Sequence, residues 1–341
     1  MRKRHRHILC GLAFAFSFFG AARADPWPAR ADPWPAPSVD ALSDDAWGRA
    51  VRFGRELTVA TASLIGPETA DPARRFAGNN LSCQSCHLNA GASQHALPFV
   101  GVFADFPQYR PREGLVGTIE DRINGCMTRS LNGRELPLDS AEMRAIVAYM
   151  KFLSTGIPVG AATPGRGTVE APLLERAADP TRGAAVYAQT CAVCHGADGA
   201  GKRNGVAGDG GGYAFPPLWG PDSFNDGAGM ARLITSVGFV YANMPFGVTW
   251  QKPALTTEDA WDVAAFVESQ PRPHMEGLER DYPNRLQKPI DAPFGPWPDQ
   301  FSPDQHKFGP FAPIRDMMRG LQSAARARAT TSTKPAEPAK P

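Results

Sequence analysis

Two blocks of the chain end in segments with the same pattern of hydrophobic positions. The first segment begins at residues 139–140 and places apolar side chains at helical spacing, at Met143, Ile146, Val147 and Met150. The second follows Thr256 or Thr257, either of which can cap a helix, and carries Trp261, Val263, Ala264, Phe266 and Val267. The triplet at 148–150 also matches the triplet at 265–267. The pattern therefore predicts two units that each close with a similar helix.

Each unit also begins with a predicted helix. In the first unit this helix covers residues 46–65, and in the second a shorter one covers residues 183–189. We place the first unit at residues 38–156 and the second at residues 181–272, joined by a linker at 157–180 that is rich in glycine, proline and small residues. The predicted fold class is all-α, with two domains in tandem.

The chain changes character after residue 272. Proline becomes frequent, and the aromatic residues Phe294, Trp297, Phe301, Phe308 and Phe311 are spaced along the segment. That much aromatic surface predicts an extended arm over residues 273–320, packed on the domains. Residues 321–341 are mostly alanine, threonine, lysine and proline without aromatic side chains, so we predict a disordered tail there.

The N-terminus has the pattern of a secretory signal peptide. Basic residues at 2–7 precede an apolar run at 8–20 and an Ala-x-Ala site at 22–24. Cleavage is predicted after residue 24 or, because a short segment is duplicated, after residue 31. Residues 25–37 then form a proline-rich linker. The apolar run is shorter than the roughly 20 residues that a membrane-spanning helix needs.

Composition excludes some partners. Lys and Arg number 36 against 34 Asp and Glu, so no basic surface for nucleic acid is indicated. Beyond the signal peptide no stretch is apolar enough to predict membrane insertion.

Two short cysteine motifs define the chemistry. Cys-x-x-Cys-His occurs at residues 83–87 and again at 191–195. In this motif the two thiols bond covalently to haem c, and the histidine is an axial ligand of the iron. We therefore predict two haem groups, bound through Cys83, Cys86 and His87 and through Cys191, Cys194 and His195. The order of helix, motif, loop and closing helix resembles that of class I cytochrome c domains.

The second axial ligand of the second haem is predicted to be Met244. It lies between His195 and the closing helix and is followed by proline, which is the position of the methionine ligand in class I cytochromes c. Met230 and Met275 have a poorer context. The competing interpretation is that Met244 is a core residue.

The second ligand of the first haem is less clear from the residues alone. Thr118 with Asp121 resembles a capping box, and on the helix that it predicts Arg122, Cys126 and Arg129 share one face. Cys126 is a candidate, and a thiolate ligand would lower the potential of the haem. Met127 and His95 are alternatives, and Cys126 could also be a small buried hydrophobic residue.

Several segments together resemble the dihaem thiosulfate dehydrogenases. They are residues 78–83, 87–91, 121–127 and 130–133, together with the second haem unit, and 122–127 (Arg-Ile-Asn-Gly-Cys-Met) is the most specific. The resemblance implies that His87 and Cys126 bind the first iron, where the reaction occurs. It implies that His195 and Met244 bind the second iron, which passes electrons out. Some members have a lysine directly before this methionine as an alternative ligand, but this chain has Asn243.

The implied reaction joins two thiosulfates into tetrathionate and releases two electrons. Five arginines lie near Cys126 in sequence, and we expect two of them to face substrate, Arg112 and Arg122 first; the five are Arg110, Arg112, Arg122, Arg129 and Arg134. The predicted acceptor is a small c-type cytochrome or a high-potential iron–sulfur protein, and the predicted location is the periplasm. The alternatives are a tetrathionate reductase and a dihaem electron carrier without a substrate.

Overall fold

A computed structural model describes residues 36–332, and the side chains of residues 36–330. The predicted signal peptide, the linker up to residue 35 and residues 333–341 lie outside the described residues. None of the described helices is both long and apolar enough to cross a membrane.

The first unit consists of five helices and one hairpin. The helices are α1 (Ala46–Val59), α2 (Thr61–Ile65), α3 (Leu88–Gly91, a single turn), α4 (Ile119–Thr128) and α5 (Ala141–Leu153). Strands β1 (Gln108–Arg110) and β2 (Leu115–Gly117) pair antiparallel. The single opening helix predicted over 46–65 is interrupted at Ala60, whose backbone leaves the helical region (φ −117°, ψ 36°). The opening and closing helices are found as predicted, and the β1–β2 hairpin is an addition to the predicted all-α unit.

Local capping explains where these helices begin. The Asp45 carboxylate accepts a hydrogen bond from the Gly48 amide at 2.8 Å, and Ser140 accepts one from the Met143 amide at 3.1 Å. The Thr118 and Asp121 side chains each accept a hydrogen bond from the other's backbone amide, which is the predicted capping box of α4.

The second unit repeats the design with four helices and a second hairpin. The helices are α6 (Pro180–Thr190), α7 (Ala192–His195), α8 (Leu233–Asn243) and α9 (Thr257–Ser269), and the strands are β3 (Lys202–Arg203) and β4 (Tyr213–Phe215). Of the two threonines considered, Thr256 is the N-cap of α9. In each unit the opening helix packs on the closing helix, α1 on α5 and α6 on α9.

The two units are in direct contact. The Asn79 amide donates to the carbonyl of Ser223 at 3.1 Å, and the Asn225 amide donates to the carbonyl of Thr128 at 2.9 Å. Phe224 is buried in the hydrophobic core of the first unit. Residues 223–225, between the second haem motif and α8, therefore join the two units.

The C-terminal segment packs on both units. Asp281 forms ion pairs with Arg112 and Arg129 of the first unit, and Phe311 lies 5.7 Å from the ring of Trp261 in the second. The arm is not extended throughout, as was predicted for residues 273–320, because it contains α10 (Pro303–Phe308) and the first part of α11 (Ala312–Ser332). Ser302 caps α10 by accepting a hydrogen bond from the Gln305 amide at 3.1 Å.

The predicted disordered tail differs from the structure at residues 321–332. These residues continue α11, whose first half is anchored in the second core by Ile314 and Met318. Alanine and arginine, which dominate the continuation, are strong helix formers, so a helix that is started by packing can extend through them.

Candidate active site

A cavity in the first unit brings together all four residues that are predicted to bind the first haem. Cys83, Cys86 and His87 line it together with Cys126 and Arg122 of α4. Much of the remaining wall is apolar, with Leu57, Ile65, Leu81, Phe99, Ile123, Ile146 and Met150. An apolar pocket with two thiols and one imidazole at its edge fits a covalently bound haem.

The imidazole of His87 is oriented for a role as an iron ligand. Its Nδ1 donates a hydrogen bond to the carbonyl oxygen of Leu97, and its ring lies 4.4 Å from that of Phe99. Because Nδ1 carries the proton in this hydrogen bond, Nε2 is left with the lone pair that binds a metal.

Cys126 differs from the two motif thiols in its ionisation. Burial opposes ionisation of Cys126, but the positive charge of Arg122, its hydrogen bond to the sulfur and the nearby His87 together outweigh burial and lower the pKa of Cys126 to about 6. Arg122 Nη1 lies 2.7 Å from Cys126 Sγ. Burial raises the pKa of Cys83 to about 11 and that of Cys86 to about 12. Cys126 is therefore the thiol in this cavity that is held as a thiolate near neutral pH.

The alternatives to Cys126 have different surroundings. Met127 also lines the cavity, but it is 2% exposed and belongs to the hydrophobic core of the first unit. The ring of His95 lies 4.8 Å from that of Trp250 in the second unit, and His95 is not among the residues that line the cavity. The assignment of the axial ligand to Cys126 stays a prediction, supported by its contact with His87.

Three arginines line the cavity, and only Arg122 belongs to the pair, Arg112 and Arg122, that is expected from the sequence to face substrate first. Besides Arg122 these are Arg110, which pairs with Glu113 at 2.8 Å, and Arg166, which pairs with Asp105. Arg110 is one of the five arginines near Cys126 in sequence, but no local pattern distinguishes it from the others. Arg166 lies in the linker between the units, and nothing in the local sequence pointed to it.

Arg112 lies apart from the cavity wall. It shares the carboxylate of Asp281 with Arg129, at 2.9 Å and 2.8 Å, and both arginines donate to the carbonyl of Gly227. Arg134 instead donates to the carbonyls of Arg75 and Ala73. The structure brings Arg122 to Cys126 but holds Arg112 away from it. A direct contact of Arg112 with substrate therefore stays a prediction.

The second haem motif has its own supporting contacts. Nδ1 of His195 is 2.9 Å from the carbonyl oxygen of Pro216, and burial lowers the pKa of His195, so the ring is held neutral as an iron ligand must be. Cys191 and Cys194 are partly exposed. Met244 directly follows α8 and precedes Pro245. These residues fit a second haem c, with the role of Met244 still a prediction.

Comparisons with known proteins agree with this arrangement. The family model described as "SoxA/TsdA, cytochrome c domain" matches residues 74–159, and "Cytochrome C oxidase, cbb3-type, subunit III" matches residues 178–267. The chain is thus a cytochrome with two c-type domains in tandem, and its two haem motifs give it two covalently bound haem c groups.

Individual relatives identify the family. The thiosulfate dehydrogenase of Allochromatium vinosum is 44% identical over 70% of this chain and 83% of its own, and that of Psychrobacter arcticus is 38% identical over 73% and 71%. The chain belongs to the thiosulfate dehydrogenase family. A solved structure of thiosulfate dehydrogenase (TsdBA) from Marichromatium purpuratum is 37% identical with a TM-score of 0.64, over 71% of this chain and half of that one.

Proposed function

We propose that the protein oxidises two thiosulfates to tetrathionate at its first haem site and passes two electrons out through the second. The observation that carries this proposal is the contact of Arg122 with Cys126 at 2.7 Å, in a cavity shared with the haem-binding residues Cys83, Cys86 and His87. A thiolate beside a guanidinium, on the wall of a haem pocket, combines a sulfur nucleophile with an anion-binding group.

The charge of the substrates explains the need for arginine. Two thiosulfate dianions about 6 Å apart repel each other by about 10 kcal/mol at an effective dielectric constant of 20. Arg110 and Arg122 both line the cavity, and guanidinium groups match sulfonate oxygens as they match phosphate. We assign these two arginines to substrate. Arg112 does not line the cavity, so in this proposal it contributes only a positive charge, from its position beside Arg129.

The proposal also assigns the iron ligands. His87 and Cys126 would hold the iron of the first haem, and His195 and Met244 would hold that of the second. Each haem, when bound, can accept one electron, so the pair holds the two that the reaction releases. A methionine ligand raises the potential of the second haem relative to the first, which favours transfer toward it.

Cys126 has a covalent role in the proposed mechanism. Its thiolate would form an S–S bond with the outer sulfur of one thiosulfate, and the two bound haems would supply the acceptors for the two electrons that this oxidation releases. The outer sulfur of the second thiosulfate then attacks the thiosulfate sulfur of that adduct. The bond to Cys126 breaks, tetrathionate leaves, and the Cys126 thiolate is restored, as in thiol–disulfide exchange.

The place of action and the acceptor are part of the proposal. The signal-peptide pattern of residues 1–24 and the covalent attachment of haem outside the cytoplasmic membrane favour the periplasm. A small c-type cytochrome or a high-potential iron–sulfur protein is the proposed acceptor. Net tetrathionate reduction is the second candidate, since the same residues serve both directions and the two haem potentials decide between them.

The test is turnover of the purified holoprotein with thiosulfate as donor and ferricyanide as acceptor, with tetrathionate measured as product. We expect one ferricyanide reduced per thiosulfate and half a tetrathionate formed. Turnover only from tetrathionate with a reduced donor would establish the reductase. Absence of both activities, with both haems in place, would leave an electron carrier.

A further inference from the structure

A short segment of the first unit contacts both His87 and the residue that precedes Met244. Residues 95–97, called here the bridging segment, follow the first haem motif in sequence, and each end of the segment is bound to a different unit. His95 and Leu97 both have left-handed backbone angles, with φ of 57° and 52°. Such angles are uncommon for residues other than glycine, and they persist where surrounding contacts hold them.

The linker between the units supplies part of that support. The backbone amide of His95 donates to the carbonyl of Gly165 at 2.7 Å, and that of Leu97 donates to the carbonyl of Gly167 at 2.9 Å. The carbonyls of the same two residues bind different partners. The carbonyl of Leu97 accepts the hydrogen bond from Nδ1 of His87.

The other carbonyl is bound by the second unit. The side-chain amide of Asn243 donates to the carbonyl of His95 at 3.1 Å and to the carbonyl of Phe239, in its own helix, at 2.9 Å. Asn243 is the last residue of α8 and directly precedes Met244. The Trp250 ring packs on the His95 ring at the same contact.

We propose that Asn243 is a positioning residue that couples the two haem sites through the bridging segment. The inference rests on the axial roles proposed above for His87 and Met244. The hydrogen bond that Nδ1 of an iron-bound histidine donates sets the orientation and basicity of that ligand. Asn243 holds the segment that accepts this bond, and it also holds the start of the Met244 loop. A change at residue 243 therefore reaches the first haem as well as the second.

Two substitutions separate the loss of the hydrogen bond from the effect of an added charge. Asn243→Leu removes the donor at similar volume, and Asn243→Asp removes it while adding a negative charge. We expect both to loosen the bridging segment, weaken the bond from His87 and make that ligand less basic. The reduction equilibrium of the first haem should then shift upward three- to tenfold in both, which is about 30–60 mV for a one-electron couple.

The measurement is a spectroscopic redox titration of the holoprotein that resolves both haems, with electron paramagnetic resonance of the first. Hydrogen exchange of the bridging segment is a readout that needs no haem signal, and faster exchange of the His95 and Leu97 amides is expected. Asn204→Leu is the matched control, because the Asn204 amide donates only within the second unit, to the carbonyl of Gly211 at 2.8 Å.

Unchanged first-haem potential and exchange in both Asn243 variants would overturn the coupling. A shift in Asn243→Asp with none in Asn243→Leu would also overturn it, because the added charge and not the lost hydrogen bond would then be acting. If Asn243→Leu does not fold, Trp250→Leu loosens the same contact from the His95 ring, and the same shift is expected. Spectra of the unsubstituted protein without a thiolate signature would contradict the proposed function, whereas the coupling is judged by the potentials.

Discussion

The opening and closing helices cross in the same way in both units, but the residues beside the two predicted haem sites differ. In each unit a glycine of the opening helix touches the backbone of the closing helix. A Cβ atom on Gly54 would lie 2.0 Å from the Ala145 carbonyl oxygen, and one on Gly183 would lie 1.9 Å from the Asp262 carbonyl oxygen. The same two closing helices place Tyr149 and Phe266 next to these glycines. The crossing is therefore set by close backbone contact, which tolerates no side chain at that point.

The difference lies in the segment between the haem motif and the closing helix. In the first unit α4 carries Cys126 and Arg122 to the wall of an arginine-lined cavity. In the second, α8 ends at Asn243 and its apolar residues pack in the core. The intervening helix therefore makes the difference between the units: in the first it brings a thiol and a guanidinium group to the cavity, and in the second it packs in the core.

The largest effect is expected from Cys126→Ala, which removes the thiolate that the second unit lacks. Thiosulfate-dependent turnover should fall by about 10³-fold or more, since the proposed nucleophile is lost. The measurement is ferricyanide reduction by protein with both haems attached. Met127→Leu, at the neighbouring cavity residue, is the control and should keep most of the activity. Full turnover of Cys126→Ala would refute the covalent mechanism.

Arg122→Ala tests whether the cavity works by its positive charge. A hydrogen bond between charged groups contributes about 1.5–3 kcal/mol, so kcat/KM for thiosulfate should fall roughly 10- to 150-fold. Arg134→Ala is a suitable control, because Arg134 belongs to the same cluster in sequence but binds backbone carbonyls away from the cavity. Equal losses in the two variants would mean that overall charge, and not the contact with Cys126, matters.

Gly54→Ala and Gly183→Ala test the crossing that the units share. Each added Cβ meets a carbonyl oxygen, so the helices must separate, and overpacking of this kind lowers the free energy of unfolding by about 1–3 kcal/mol. Denaturant unfolding measures the loss. Gly229→Ala is the control, since a Cβ there meets no atom within 4 Å. If only one of the two glycines proves sensitive, the units differ in how their crossing is held.

The smallest effect is expected where the closing helices differ in chemistry. Asp262 is fully buried and accepts hydrogen bonds from Arg176, Arg182 and the Asp179 amide, whereas the matching residue of the first unit is Ala145. Asp262→Asn should cost about 1–2 kcal/mol, because the bonds to arginine lose their charge on one side. Asp259→Asn, at an exposed pair on the same helix, should cost less. The lower stability should appear at a lower denaturant concentration in the absorbance of the second haem than in that of the first.

Much of the design could be read from residues that are close together in sequence. The two haem motifs, the caps at Thr118 and Ser140, and the helix that carries Arg122 beside Cys126 are all local patterns, since a helix places residues four apart on one face. The crossing glycines were not predicted, because their role appears only when two helices separated by most of a domain are packed together.

Local patterns already indicate that the chain has two haem-binding units and that Cys126 lies near arginine, because these features depend on spacing along a few residues. Tertiary packing establishes which further arginines line the cavity around that thiol. Arg110 and Arg166 line the cavity, whereas Arg112 and Arg129 are held by Asp281, an aspartate from the C-terminal segment. It also decided that α11 continues past residue 320 and that Asn243 meets the bridging segment. Such contacts join parts of the chain far apart in sequence, so their geometry depends on how whole helices and loops pack.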